Sequence, residues 1–545
     1  MTPGPGKTKW NVPASEIARN TNNPIRNIVE NLRLDPNPDK PLIALSIASL
    51  VQSQTQFLDS LTDTITDIVS RQNSLIQSQT QFLNSLTGTI TDTVLQQPHW
   101  YNHRHSSSTA SLIQSQTQFL KSLNDTITDM FGNLLPSPEV LDAVRESLGS
   151  LRYNGYAPSV GYIEAREAVA RYSSSVDVTV DPKDVLLCSG CSGALDLCIT
   201  ALANPGQNIL VPRPGFSIYR TLAEGLGIKV KSYNLKPERG WMVDLDHLEE
   251  QCDEKTAAII INNPSNPCGS VFSREHLFDI LEVARRNFLP IIADEIYEHM
   301  VFPGKEFHSL GSLSLEVPVL SCSGLTKRLV FNSFNVITDH DRQEVSPQLF
   351  LIPGWRMGWI IIHDRNGVFD QEVRKGLQRL SQRIIGSNTL VQGALPAILK
   401  NTPQEFYYNT LCILQNNALV AFEMLKNIEG LRPVMPEGAM YIMVGISMEH
   451  FPEFSSELHF LEQMVTEESV FCLPGQLANT PVMLSQTTED GEIECFDYPG
   501  YMRLVLSVPE EQLREACHRI ANYCARHFTI NSISSYLVQH KHSLP

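Results

Sequence analysis

The stretch Pro290-Ile291-Ile292-Ala293-Asp294-Glu295-Ile296-Tyr297 decides the fold prediction for this chain. Its apolar run, Pro290 to Ala293, is continuous and does not alternate with polar residues. Continuous apolar runs of this length are typical of strands buried on both faces of a parallel sheet. An acid that ends such a run is itself buried, and burial of a carboxylate requires a positive partner. The stretch therefore predicts a core strand that carries Asp294 into a site.

Similar apolar runs recur on both sides of this stretch, separated by segments of helical period. They are Val185 to Cys188, Asn208 to Val211, Ala257 to Ile261, Val317 to Ser321 and Trp359 to Ile362. The alternation predicts an α/β fold with a large, doubly wound, mostly parallel sheet. Ligands bind such sheets beyond the carboxyl ends of the strands. Residues 406–445 read as a long helix, a turn and an apolar run, which predicts a second, smaller α+β domain.

Chemically useful side chains follow these runs. Asn266, Asp294 with Tyr297, Lys327 and Arg356 are each predicted to close a strand-like run. Pyridoxal phosphate enzymes need this set: a lysine for the Schiff base, a carboxylate that keeps the pyridine nitrogen protonated, and an arginine fork for phosphate. Asn266 and Tyr297 are the expected hydrogen-bond donors to the ring oxygen. As single residues, a turn asparagine and an exposed lysine are ordinary alternatives; the order of the motifs favours the cofactor site.

The sequence of the chain resembles those of the fold type I aminotransferases and, among them, most of all the tyrosine aminotransferases. The likeness covers nearly all of residues 10–47 and 131–528. The resemblance is strongest in the motifs Trp10-Asn11-Val12, Asn23-Pro24-Ile25-Arg26, Tyr153-Asn154-Gly155-Tyr156-Ala157-Pro158, Val211-Pro212-Arg213-Pro214-Gly215-Phe216 and Glu449-His450-Phe451-Pro452-Glu453-Phe454. The resemblance implies a cytoplasmic homodimer that uses pyridoxal 5'-phosphate to move the amino group of L-tyrosine to 2-oxoglutarate. The products would be 4-hydroxyphenylpyruvate and L-glutamate, in tyrosine and phenylalanine catabolism.

Further site residues are expected around the cofactor. Gly190, Cys191 and Ser192 lie between a strand pattern and a helix pattern, where backbone N–H groups can bind phosphate together with Arg356. Phe216 would stack on the cofactor ring. By resemblance, Tyr156 would reach the phosphate of the neighbouring subunit. Arg503, in an apolar strand pattern, suits the substrate α-carboxylate, with Asn266 beside it.

Several segments depart from the family. The sequence Ser49-Leu50-Val51-Gln52-Ser53-Gln54-Thr55-Gln56-Phe57-Leu58 recurs almost unchanged from Ser74 and from Ser111. The predicted organisation begins with an N-terminal arm that also forms part of the small domain (1–47) and a repeat-containing insertion that is disordered or weakly helical (48–130). It continues with a cofactor domain (131–395, with an insertion at about 330–350), a small domain (396–528, with an insertion at about 476–494) and a tail (529–545). Loop-closure entropy grows slowly with length, so folding can survive these insertions. Catalysis tolerates less displacement of its groups.

Composition narrows the function classes. The chain has 42 basic and 59 acidic residues, a net charge of −17, which disfavours nucleic acid and anionic membranes as partners. The N-terminal segment lacks a secretory core, and the 11 cysteines are scattered, which favours reduced thiols in the cytosol. The Cys188 and Cys191 pair has no accompanying ligands, so no metal is expected. Two alternatives stay open: an aminotransferase for alanine or another neutral amino acid, and a catalytically impaired isoform or faulty gene model that acts at most as an interaction protein.

Overall fold

The structure is a computed structural model that describes residues 40, 43–44, 137–175, 178–325, 352–370, 372–383, 386–401, 404–475 and 498–529. The predicted insertions at 48–130, 330–350 and 476–494 lie outside the described residues, as does Lys327. The same holds for nearly all of the N-terminal arm and the tail. The predicted domain boundaries therefore remain predictions.

An eight-stranded sheet dominates the described residues, in the order β2-β9-β8-β7-β6-β3-β4-β5. Its strands are β2 (Val185–Ser189), β3 (Asn208–Arg213), β4 (Lys229–Lys236), β5 (Met242–Val243), β6 (Thr256–Asn262), β7 (Ile291–Asp294), β8 (Val319–Gly324) and β9 (Met357–His363). All six predicted runs are strands. Neighbours from β8 to β4 pair in parallel, whereas β9 is antiparallel to β2 and β8, and β5 to β4. The mostly parallel α/β fold is confirmed.

The central strands are apolar throughout because both faces of the sheet are covered. Ile260 and Ile292 belong to one core cluster, while their neighbours Ile259 and Ile291 belong to another. Alternate side chains of a strand point to opposite faces, so each strand supplies both cores. Continuous apolarity therefore reports two-sided burial. It does not report direction, since β9 is equally buried and antiparallel.

Helices connect the strands of this sheet and flank them. They are α1 (Pro138–Gly149), α2 (Ile163–Ser173), α3 (Gly190–Leu202), α4 (Ile218–Gly225), α5 (Leu245–Gln251), α6 (Arg274–Arg286), α7 (Leu310–Leu313), α8 (Val373–Ser381) and α9 (Thr389–Asn401). Helix α6 is stabilised at both ends by its sequence. At its start, the Ser273 side chain accepts a hydrogen bond from the backbone N–H of His276. Arg285 and Arg286 lie in its last turn, where cations are favourable.

A second, antiparallel sheet has the order β10-β11-β14-β13. Its strands are β10 (Leu431–Val434), β11 (Tyr441–Ile446), β13 (Leu473–Pro474) and β14 (Tyr501–Val505). The long helix predicted near residue 406 is α10 (Gln404–Leu425), and α11 (Glu457–Glu468) and α12 (Glu510–His527) complete this part. The short strands β1 (Ile43–Ala44) and β12 (Val470–Phe471) pair in parallel. No described helix is both long and apolar enough to cross a membrane.

Candidate active site

Most of the predicted site residues lie along one edge of the eight-stranded sheet, the edge formed by the carboxyl ends of its parallel strands. Strands β2, β3, β6 and β7 end there: Gly190, Phe216 and Asn266 follow the first three, Asp294 is the last residue of β7, and Tyr297 comes three residues later. Arg356 is an exception, and the prediction that it closes a strand is wrong, because it precedes β9. Strand β9 runs antiparallel to its neighbours, so its beginning lies at the edge where they end. The reversal of this strand brings Arg356 to the site.

Asp294 is the buried acid at the centre of this edge, with 2% of its surface exposed. One carboxylate oxygen, Oδ2, accepts a hydrogen bond of 2.7 Å from the Tyr219 hydroxyl. The other, Oδ1, accepts from the backbone N–H of Ile296 at 3.3 Å and from the Cys191 thiol at 3.5 Å. Burial raises the pKa of Asp294, and these donors oppose that shift. Among the described residues, no lysine or arginine forms an ion pair with it, so the site suits a ligand that carries a positive charge.

Tyr219 is a candidate site residue that the sequence predictions lack. Its ring is fully buried at the start of α4, with an edge-to-face contact to Phe216 at 6.0 Å between centroids. Burial raises its pKa well above the ordinary tyrosine value, so it stays a neutral donor toward Asp294. The available signal is its position three residues after Phe216, at the start of a helix behind the site. A tyrosine there resembles any packed aromatic until the structure shows its hydroxyl contact.

Cys191 lies at the start of α3, as predicted, and its thiol also contacts Asp294. Its thiol faces the Asp294 carboxylate, and burial raises its pKa well above the ordinary thiol value. A thiol of raised pKa stays protonated and can act as a weak donor. In the part of the chain that the structure describes, no group of His, Cys, Asp and Glu side chains could hold a metal ion.

The start of α3 and Arg356 form a corner suited to an anion. The Arg356 guanidinium donates to the Ser189 and Pro353 carbonyls, each at 3.2 Å, and the residue is exposed. A Cβ at Gly190 would lie 2.7 Å from Arg356 Nη2, and Gly190 has a φ of +70°. The positive φ favours glycine at this position, and the missing Cβ leaves room for the guanidinium at this helix start. Ser192 lies in the first turn of the same helix, where backbone N–H groups lack helical partners.

Arg503 lies on β14 in the second sheet and is 7% exposed. Its Nη1 donates to Asn266 Oδ1 at 2.8 Å, and its Cζ lies 4.3 Å from the centroid of the Tyr441 ring. The Asn266 backbone N–H donates to Asn262 Oδ1 at 2.7 Å, which fixes the loop after β6. Because Asn266 Oδ1 accepts from Arg503, its NH₂ group remains as the donor for a ligand. The two residues predicted to bind substrate are thus in direct contact.

Tyr297 is 4% exposed and follows β7 by one turn. Its hydroxyl lies 2.9 Å from the hydroxyl of Tyr441, a residue of β11 that is also absent from the predicted site. Tyr441 has only the weak sequence signal of a polar tip within an apolar run. Its role depends on which residues of β14 lie beside it.

A pocket lies beside Asn266 and Arg503. Phe216, Asn266 and Arg503 line it, together with Pro214, Gly215 and Ser217 after β3, Pro267 after β6, Met443, Leu473 and Pro474 of the second sheet, and Gly475 after β13. A mainly apolar lining with a few polar groups, one of them charged, is typical of a site for a small molecule with one charged group.

Of the predicted site residues, Phe216, Asn266 and Arg503 line this pocket, and two others are not placed at the candidate site by the described contacts. Lys327 lies outside the described residues, which stop at Leu325 and resume at Ile352. Tyr156 is described and is 88% exposed, so its ring is available to another molecule.

The comparisons with known proteins agree with this geometry. Residues 122–334 and 349–520 match the family of aminotransferases of class I and II. The tyrosine aminotransferases of Bos taurus and Homo sapiens are each 44% identical to this chain over 96% of its length, and over 91% and 89% of their own. The interruption of the family match, residues 335–348, falls within the segment where excess sequence is predicted.

Solved structures show the same fold. The tyrosine aminotransferase from Leishmania infantum superposes with a TM-score of 0.70 at 26% identity, covering 96% of this chain and 100% of that one. The alanine aminotransferase from Pyrococcus furiosus gives a TM-score of 0.61 at 26% identity, covering 72% and 89%. The fold is that of the fold type I aminotransferases, as predicted. The strand-edge acid, the buried arginine and these matches together show that the chain belongs to the class I and II aminotransferase family.

Proposed function

We propose that the protein is a pyridoxal-phosphate-dependent transaminase that moves the amino group of L-tyrosine to 2-oxoglutarate. The products are 4-hydroxyphenylpyruvate and L-glutamate, as in the catabolism of tyrosine and phenylalanine. The observation that carries the proposal is the environment of Asp294. This buried carboxylate accepts hydrogen bonds from neutral donors and forms no ion pair with a described lysine or arginine. Tyrosine as the donor is supported by the 44% identity to relatives named for it.

The described residues fit pyridoxal phosphate. Asp294 would pair with the protonated pyridine nitrogen, which lets the bound cofactor act as an electron sink. The start of α3 at Gly190, Cys191 and Ser192, with Arg356, would hold the phosphate. Phe216 would stack on the ring, and Asn266 with Tyr297 would donate hydrogen bonds to its oxygen. These assignments use a buried anion for the cationic end and an exposed guanidinium for the anionic end.

Lys327 would hold the cofactor and transfer the proton at the substrate Cα. Its proposed role rests on its place after β8 and between the Asp294 and Arg356 motifs. A free lysine amine is a suitable general base when its pKa is lowered near other cations. Asp294 and Tyr297 serve this step by fixing the charge and the oxygen of the ring.

The pocket supports the proposed recognition of the amino acid. Arg503 would bind the α-carboxylate with both nitrogens of its fork, helped by Asn266. Met443, Leu473 and Pro474 would face the aromatic side chain, whose burial contributes roughly 2 kcal/mol. Both half-reactions use the same arginine, because tyrosine and 2-oxoglutarate each carry an α-carboxylate.

The proposed enzyme is a homodimer in which Tyr156 completes the phosphate site of the partner. Mixing Lys327→Ala chains with Tyr156→Leu chains tests the sharing of sites. Random pairing would leave about a quarter of all sites with both native residues, so activity should rise to about that fraction. Activity no higher than the mean of the two separate variants would contradict a shared site.

We place the protein in the cytoplasm. All cysteines of the described residues are free thiols, which is the usual state in that reducing compartment.

The proposed reaction is tested by an amino-donor panel. The purified chain with added pyridoxal phosphate would be assayed with 2-oxoglutarate and L-tyrosine, L-phenylalanine or L-alanine, measuring glutamate formed. Tyrosine or phenylalanine should be preferred, and Lys327→Ala should remove activity. Lys305→Ala, a change at a half-exposed lysine paired with Glu437, is the matched control.

The outcomes separate the alternatives. A preference for alanine would replace the tyrosine proposal with a neutral amino acid aminotransferase. Glutamate production equal to that of Lys327→Ala with every donor would identify a catalytically silent chain.

A further inference from the structure

Tyr441 is placed against Arg503 by the register of the second sheet. Met443 lies directly opposite Arg503 in the β11 and β14 pair, and Tyr441 lies opposite Val505. Residues that are opposite or two positions away share one face of an antiparallel pair, and long side chains reach across the diagonal. The Arg503 guanidinium carbon accordingly lies 4.3 Å from the Tyr441 ring centroid. The ring face provides a surface that attracts and orients a cation.

The hydroxyl of the same tyrosine reaches the turn that follows β7 of the large sheet. It lies 2.9 Å from the Tyr297 hydroxyl, and the two rings meet edge to face with centroids 6.0 Å apart. Both side chains are buried, with 7% and 4% of their surfaces exposed. Tyr441 therefore contacts both the arginine proposed for the substrate carboxylate and the tyrosine proposed for the cofactor oxygen.

The hydrogen-bond direction between the two tyrosines follows from what each must do. A phenolic hydroxyl has a single hydrogen to donate. If Tyr297 donates that hydrogen to the cofactor oxygen, it must accept from Tyr441. Burial raises the pKa of Tyr297 well above the ordinary tyrosine value, so Tyr297 keeps its proton for donation.

We propose that Tyr441 is a positioning residue with two separable actions. Its ring holds the Arg503 guanidinium for the substrate α-carboxylate, and its hydroxyl donates to Tyr297 so that Tyr297 can donate to the cofactor. The inference rests on the proposed function and extends it to a residue outside the predicted site.

The two actions can be separated because Tyr441→Phe removes only the hydroxyl, whereas Tyr441→Leu removes the ring as well. Tyr523→Phe is the matched control: this buried tyrosine of α12 donates to the Phe460 carbonyl at 2.8 Å. Thermal unfolding of all variants would establish that each is folded.

The first readout is the pH titration of the visible absorption of the bound cofactor. With Tyr441→Phe, weaker donation by Tyr297 should move the midpoint to higher pH by roughly half a unit. The KM for tyrosine should stay within about twofold while kcat falls several-fold. An unchanged midpoint in a folded Tyr441→Phe protein would overturn the action of the hydroxyl.

The second readout does not need the cofactor. Calorimetric binding of 3-(4-hydroxyphenyl)propanoate reports recognition of a carboxylate, and 4-ethylphenol is the probe that lacks it. Tyr441→Leu should weaken the first probe relative to the second by roughly fivefold, and Tyr441→Phe should leave the ratio unchanged. An unchanged ratio in Tyr441→Leu would overturn the action of the ring.

These readouts distinguish a failure of the inference from a failure of the proposed function. A wild-type chain without any cofactor band contradicts the proposed function and the action of the hydroxyl with it. The two-probe ratio would still decide whether Tyr441 positions Arg503.

Discussion

The end of β7 in the large sheet and the face of the second sheet around Arg503 each hold a buried charge, but the two charges have opposite signs. Asp294 is a buried anion that accepts from Tyr219, Cys191 and a backbone N–H. Arg503 is a buried cation that donates to Asn266 and lies on the Tyr441 ring. The described contacts of Asp294 are with neutral donors, and those of Arg503 include the Asn266 oxygen and the Tyr441 ring. Contacts of this kind fix the position of a charged group, so we expect Asp294 to bind the cofactor and Arg503 to bind the substrate separately.

The largest effect should come from Asp294→Ala. Without the buried carboxylate, nothing in the described residues favours the protonated pyridine nitrogen, and kcat should fall on the order of a hundred- to a thousandfold. Steady-state kinetics with saturating cofactor would measure the loss, and fluorescence titration would measure cofactor affinity. Wild-type rates in this variant would contradict the role assigned to Asp294, because the anionic region would then not contribute to the reaction.

Arg503→Leu should give the next largest effect, and on the opposite ligand. Loss of a buried, hydrogen-bonded partner for the α-carboxylate should raise the KM for tyrosine roughly a hundredfold. Cofactor affinity should stay within about twofold. Arg519→Leu is the matched control, since Arg519 is a buried arginine that donates to the Glu468 carbonyl at 3.1 Å. Equal losses in Arg503→Leu and Arg519→Leu would point to stability and not to substrate binding.

These two regions also differ in how far the sequence predicts them. Asp294, Asn266 and Phe216 each follow a continuous apolar strand, and parallel strands bring their ends to one edge, so their proximity is predictable. Arg356 is at that edge for a different reason, the reversal of β9, which apolarity cannot reveal. Arg503 could be predicted from the cost of burying its charge. Tyr441 could not, because its contact with Arg503 depends on the register between β11 and β14.

Tyr219→Phe should have a smaller effect that sharpens the account of the anionic region. The variant loses the 2.7 Å hydrogen bond to Asp294 and keeps the ring. Because this donor opposes the raised pKa of Asp294, its removal should shift the acidic limb of cofactor binding to higher pH. Cofactor affinity at neutral pH should fall roughly tenfold. The pH dependence of the cofactor Kd is the measurement, with Tyr523→Phe as control. A shift to lower pH would contradict the assigned donor.

Glu295→Gln should have the smallest effect on activity and a clear effect on stability. Glu295 is a buried acid next to Asp294 in sequence, but it accepts from Ser309 and from the backbone N–H of Leu310, and burial raises its pKa from 4.5 to about 8. Between those values the folded state binds more protons than the unfolded state, so stability falls as pH rises.

The expected slope for this one group is about 1.4 kcal/mol for each pH unit in that window, levelling off above it. Glu295→Gln has no such proton to lose and should flatten the pH dependence of the unfolding free energy. Urea unfolding across the window would measure this for both proteins. Identical pH profiles would show that Glu295 does not titrate with a raised pKa.

The visible absorption spectrum of the protein with pyridoxal phosphate, recorded during titration with L-tyrosine, tests the separation of the two regions most directly. The wild-type chain should show a bound-cofactor band that tyrosine shifts. Arg503→Leu should keep the band but need roughly a hundredfold more tyrosine, whereas Asp294→Ala should lose most of the band. A wild-type chain without a band, or two variants with the same defect, would contradict an anionic cofactor region distinct from a cationic substrate region.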